Sequence, residues 1–203
     1  MIKKNSVKNK VDTTSLIGYV AILVIILSLA NIGVRLTGRV ADTGVVNVTI
    51  ESRTNINFSV SSVNFGTGFF DSGKTNATVD TLGNVINGNW TAVTEGFMVE
   101  NVGTVNVTLD LKTNKNAVAF LGGTGPTYRY NVSNNKADSC IAGEITLGQW
   151  NDVNTTSPGT RICNILGYEN TMDVIRIDLE LFFSSDISSG NKTDTFTATA
   201  TTI

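Results

Sequence analysis

Histidine is absent from this chain of 203 residues, and proline and cysteine occur only twice each. The missing imidazole removes the commonest general base, the usual metal ligand and every Ser-His or Cys-His nucleophile pair. Two cysteines alone cannot fill a four-ligand zinc site. The run Gly122-Gly123-Thr124-Gly125 is followed by Pro126, not by the Gly-Lys-Ser/Thr ending of a phosphate-binding loop, so it reads as a turn. Charge is sparse too, with Asp, Glu, Lys and Arg at 16%, and its distribution says more than the net −2. Residues 1–40 carry six Lys/Arg against one Asp, which leaves nine against 16, or −7, on residues 41–203. An acidic body repels a phosphate backbone, and nucleic acid is set aside as a partner on that ground.

Threonine (28), asparagine (23), glycine (19) and serine (15) fill the space, which is the chemistry of strands and turns. Apolar and polar residues alternate with period two. Val46, Val48 and Ile50 alternate with Asn47 and Thr49; Ile56, Phe58 and Val60 with Asn57 and Ser59; Val105, Val107, Leu109 and Leu111 with Asn106, Thr108 and Asp110. Near the end Ile175, Ile177, Leu179 and Leu181 alternate with Arg176, Asp178 and Glu180, and Phe196, Ala198 and Ala200 with threonines. Such runs are half-buried antiparallel strands. Turn clusters at 64–68, 101–103, 122–126 and 188–192 separate them, giving about eight strands in all. The expected fold is all-β: a two-sheet antiparallel sandwich, immunoglobulin-like or jelly-roll, over residues 44–203, preceded by an N-terminal hydrophobic helix.

Residues 1–12 form a basic N-region holding Lys3, Lys4, Lys8 and Lys10. The stretch Thr13–Val34 is 22 residues without a charge, and its centre contains Leu16, Ile17, Val20, Ile22, Leu23, Val24, Ile25, Ile26 and Leu27. That length crosses a hydrocarbon core of about 30 Å at about 1.5 Å per residue. Residues 13–36 therefore read first as a transmembrane anchor, and nearly as well as a cleaved signal segment with Ser28-Leu29-Ala30 as its small-x-small site. Residues 37–43 are a linker. Four cations before the segment against two after it (Arg35, Arg39) favour a cytoplasmic N-terminus with the β domain outside, secreted if the segment is cleaved. In an oxidising compartment Cys140 and Cys163 make one disulfide, worth about 3 kcal/mol on the chain-entropy model; two isolated thiols are the alternative. Sequons at Asn47, Asn57, Asn76, Asn89, Asn106, Asn131, Asn154 and Asn191 exceed the roughly five that chance predicts from this composition.

The run NINFSVSSVNFG (55–66), followed by GFMVENVGTVNVTLDL (96–111), resembles a β-sandwich module of archaeal and bacterial surface proteins, in which a Phe-Gly strand end precedes a V-x-N-x-G-x-x-x-V-x-L pattern. With Cys140, Trp150, Asn154-Thr155-Thr156, Cys163 and the terminal KTDTFTATAT, the whole chain is similar to small single-anchor archaeal cell-surface β-sandwich proteins of immunoglobulin-like or pilin-like type. The resemblance implies a non-enzymatic, membrane-anchored glycoprotein with a structural or interaction role. Its partners would be the membrane, copies of itself or surface glycans, and it would use no cofactor. A pilus-like filament subunit, assembling through its N-terminal helix or through a strand such as residues 44–51, is one alternative. The chain departs from the pilin pattern in having no Lys or Arg directly before a Gly or Ala ahead of the apolar stretch. A glycan-binding or adhesive module is the other alternative, with Trp90, Trp150, Tyr128 and Tyr130 as a stacking platform or, more often for such residues, as core and rim.

No catalytic or metal residues are assigned. The carboxylates Asp178 and Glu180 fall on one strand face, and Glu144 and Asp152 share the inter-cysteine loop, but solvated faces account for both pairs. Asp138, Glu144 and Asp152 lack any EF-hand spacing.

Overall fold

Alternation carries directly into backbone. The computed structural model describes residues 17–25 and 48–203, and among them are two helices and eleven strands. Helix α1 covers 17–25. The strands are β1 (Ile56–Val60), β2 (Asn76–Asp80), β3 (Val85–Ile86), β4 (Phe97–Asn101) and β5 (Val107–Thr113), then a four-residue helix α2 (Ala117–Phe120), β6 (Thr127–Asn134), β7 (Cys140–Ala142), β8 (Asn151–Asp152), β9 (Thr160–Leu166), β10 (Val174–Ser184) and β11 (Phe196–Thr202). All eleven strands belong to one compact unit, Ile50–Ile203. The expected strand at 46–50 does not form over its described part, residues 48–50. Lacking a neighbouring edge, alternation alone does not make a strand. The expected anchor 13–36 lies within the described residues only over α1; no described helix is long and apolar enough to cross a membrane. Leu16, Ile26, Leu27, Asn47 and the linker 37–43 fall outside the described residues.

Two antiparallel sheets form a β-sandwich. The smaller runs β11-β5-β9-β7; the larger has seven strands, with the path β1-β4-β10-β2-β3 and with β6 and then β8 joined to β10. From β4 onward successive strands alternate between the sheets, so β2–β3 is the one pair of consecutive strands that bond each other among those described. Residues 107, 109 and 111 of β5, 162 and 166 of β9, and 175, 177 and 179 of β10 face inward and, with Val99, Tyr130 and Val132, fill the main core. A second core under β2 and β3 gathers Ala77, Val79, Leu121, Tyr128, Leu181 and Phe183, against which Phe70 and Trp90 pack. Each of these large apolar side chains contributes roughly 1.5–3 kcal/mol by leaving water.

β10 is the strand that everything else in the larger sheet needs. Along one edge its residues 174–177 pair with β4 and its residues 180–184 with β2, so two strands share that edge end to end; β6 takes the other edge over 175–182. Where β4 and β2 meet, ladder bonds run out and polar groups would be stranded in a buried place. Side chains fill the gap. The Thr81 hydroxyl donates to Asp178 Oδ1 at 2.7 Å and accepts the Leu179 N–H at 2.9 Å. Arg176 donates from Nε to the same Asp178 oxygen at 2.8 Å and from Nη2 to the carbonyls of Thr81 and Thr94 at 2.9 and 3.0 Å. Gly96 lets the chain approach, since a Cβ there would lie 2.4 Å from the Ile177 carbonyl oxygen and 2.9 Å from Asp178 Oδ1.

The crossing from β4 to β5 is held by Asn101, which is 1% exposed. Its amide donates to the carbonyls of Val105 and Leu166, and its Oδ1 accepts the Gly103 N–H. The Asn-x-Gly element of the sequence pattern is thus a buried tie between sheets.

Cys140 and Cys163 are bonded, joining neighbouring strands β7 and β9 with Cα atoms 5.4 Å apart. The segment between them is less irregular than its composition indicates: it crosses to the larger sheet, where β8 pairs with β6 and Gly148 N–H bonds the Val132 carbonyl, and then returns as β9.

Replacing Arg176 by Met leaves the Asp178 carboxylate buried without its cation and should cost about 3–5 kcal/mol in urea unfolding, most of it recovered when Asp178→Leu is added. Reduction of the disulfide should lower stability by about 3 kcal/mol without changing the far-ultraviolet spectrum, because β7 and β9 keep their ladder.

Candidate functional site

A sandwich exposes its strand edges on its two sides, and here the two sides are unequal. On one, the larger sheet ends in β8, two residues long, and the smaller in β7, three residues long. β3, which ends the branch through β2, also has only two residues. The other side carries β1, five residues with a register shift between Phe58 and Val60, and β11, seven residues in unbroken register with β5. Short or bulged edges resist pairing with other chains, whereas a long regular one invites it.

Between β1 and β11 lies a cleft of about 210 Å³ lined by Phe58, Ser61, Phe97, Asp194, Thr195 and Phe196. Its floor is aromatic. Phe97 stands 5.8 Å from Phe58 and 5.3 Å from Phe196, and Phe196 in turn lies 5.8 Å from Tyr128, so the rings form a row from the surface to the second core. At its rim, Asp194 turns both carboxylate oxygens inward, where they are buried beside the Tyr128 phenol. Burial first, and the Asp194 charge second, hold the Tyr128 phenol in its neutral form well above its ordinary pKa. At the far end of β11 the Thr54 and Thr202 hydroxyls bond each other, which fastens β1 alongside.

The carboxylates singled out from the sequence are engaged elsewhere. Asp178 holds Arg176, and Glu180 is ion-paired with Arg129 across the β10–β6 ladder. Glu144 accepts the Arg161 N–H, while Asp152 stands opposite Arg129 on β8. No group of three or more His, Cys, Asp or Glu side chains gathers among the described residues, so Asp138, Glu144 and Asp152 are not brought together. The stacking platform does not form either: Tyr128 and Tyr130 are buried in the core at 4% and 1% exposure, and Trp90 packs edge-on against Phe70 and Phe183. Of the seven described sequons, Asn57, Asn89, Asn106 and Asn191 are exposed, whereas Asn76, Asn131 and Asn154 are half-buried. Asn131 Oδ1 is enclosed on β6 opposite Asp178, and Asn154 is tied to Thr156 and Thr160.

The glycine cluster is a turn, with positive φ at Gly122, Gly123 and Gly125. Asp186 anchors it, accepting from Ser184 and from both the backbone and the hydroxyl of Thr124.

Sequence reasoning passed over Asp194, Phe58 and Phe196 as a group, because nothing local connects residues 58 and 196. The signal available was the missing charge in FTATATT. No protein-family model, curated protein or solved structure matches the chain.

Hydrogen bonds from Ser184 and then Thr124 lower the Asp186 pKa from 3.8 to about 2. Its folded value lies below its unfolded one, so its contribution to stability is complete above about pH 4 and is lost as pH falls toward 2. An NMR titration should find this carboxyl titrating below the ordinary aspartate value, and Asp186→Asn should flatten that limb of the stability curve.

Proposed function

We propose that this chain is a non-enzymatic cell-surface protein, held in the membrane by its N-terminal apolar segment and displaying an immunoglobulin-like or jelly-roll sandwich that acts by contact with other molecules. The observation that carries the reading is the open side of the sandwich: a seven-residue uncharged edge strand beside an aromatic cleft. An enzyme site would call for converging acid and base groups, whereas Asp178 and Glu180 are each held in an ion pair and Glu144 accepts a backbone N–H. The membrane assignment is supported by α1, whose residues 17–25 are all exposed although most are large and apolar. A helix apolar all round belongs in an apolar surrounding. The disulfide agrees with an oxidising compartment.

The same helix favours a second reading, a filament subunit in which the apolar segments bundle. A glycan-binding role draws less support, since the four aromatics proposed for it are not assembled on one surface.

Intact mass and N-terminal sequencing of the protein recovered from its native membrane test the assignment. A start near Met1 in the membrane fraction establishes the anchor. A start near Asn31 in the soluble fraction makes the protein secreted, and one between Thr13 and Gly18 favours the filament. Exclusively cytosolic, reduced protein would overturn the reading.

A further inference from the structure

We propose that β11 pairs with β11 of a second copy, antiparallel and centred on Thr199, fusing the two four-stranded sheets into one of eight strands; the inference rests on the reading of the chain as a contact protein. Among the described residues β11 is paired on one side only, by β5. From Phe196 to Thr202 it carries no charge and no proline, the two devices that keep strand edges apart, and so it meets its own copy without repulsion.

The direction of its peptide groups fixes the register. The Thr195 carbonyl accepts the Asn114 N–H at 3.2 Å and the Thr201 carbonyl accepts the Thr108 hydroxyl at 3.3 Å, both on the β5 side. Direction alternates along an antiparallel strand, so Phe196, Ala198, Ala200 and Thr202 turn their N–H and C=O groups outward. With Thr199 opposite itself, Phe196 faces Thr202 and Ala198 faces Ala200, and all four outward residues find partners in about eight hydrogen bonds. A two-residue slip leaves one of the four beyond the partner strand, and a one-residue slip sets alanine faces against threonine faces.

Charge does not oppose this register. Asp194, the charge just before β11, keeps its carboxylate buried beside the Tyr128 phenol, and antiparallel pairing brings it to the end of the second copy where Thr54 grips Thr202. The charge at that end is the exposed cation Arg53, so no like charges meet. The same juxtaposition occurs twice, and the two-fold arrangement closes as a dimer.

The test is sedimentation of the full chain in mild detergent, as wild type, Thr199→Lys and Thr199→Glu. Thr199 is exposed, so neither change disturbs the core. The wild type should be dimeric. Either variant alone should weaken the dimer at least about tenfold, because like charges would stand directly opposite, and an equimolar mixture of the two should restore it. Register is read independently by oxidative cross-linking: Thr199→Cys should couple to itself, and Thr197→Cys should couple to Thr201→Cys but not to itself. A monomeric wild type, or a dimer indifferent to both charges, overturns the pairing. If that monomer is still recovered from the membrane with its N-terminus intact, the surface-protein reading stands and only the self-pairing falls.

Discussion

The Asp178 carboxylate is the group on which the larger sheet depends. A strand edge ordinarily serves one partner, and β10 serves two in succession, β4 and then β2. Such an arrangement has a weak point at the join, where the backbone supplies little beyond the Thr81 N–H to the Leu179 carbonyl. Asp178 is 4% exposed and Thr81 fully buried, yet Asp178 Oδ1 accepts from both Thr81 and Arg176, and the Thr81 hydroxyl accepts the Leu179 N–H. Arg176 suits the place because its planar head donates to one carboxylate and two carbonyls at once, which an ammonium on a flexible stem does less well. β10 itself is the common frame of the β1–β4 and β2–β3 halves, and this cluster seals the join between them.

The two cores follow from that frame. The main core lies between the sheets, and the second lies beneath the half of β10 that β2 covers. Phe196, the first residue of β11, packs against both. One side chain therefore links the edge strand, the aromatic cleft and the second core. The edge is held straight by well-packed residues on its inner face while its outer face stays threonine-rich and hydrated.

Much of this was legible from residue order, in a graded way. The four alternating runs at 56–60, 105–111, 175–181 and 196–200 all fall in or across strands, because a half-buried strand writes its two faces into neighbouring positions. The run at 46–50 shows the converse, since its described part has the pattern and no strand. β8 escaped notice because two residues, Asn151 and Asp152, cannot show a period. Pairing was invisible, because strands that alternate between sheets have partners far away in sequence. The polar join had a trace in the sequence, Arg176-x-Asp178 on one strand face, but it looked like any solvated face. What set it apart was the ending of two other strands at the same spot. The cleft had no local trace at all, because Phe58 and Asp194 come from opposite ends of the domain.

The place of β10 after the strands it joins has a kinetic consequence. β1, β2, β4 and β6 are all made before the strand that organises them, and Ser184 follows Ile56 by about 125 residues, or roughly 6–25 s at a synthesis rate of about 5–20 residues per second. Through that interval β1 and β4, and β2 and β3, have only each other to pair with in the larger sheet, and most of the contacts that finally form are distant in sequence, the circumstance in which folding is slow. The larger sheet is therefore exposed longest to misassembly in the interval before β10 is made, and its few charges offer little repulsion against it there.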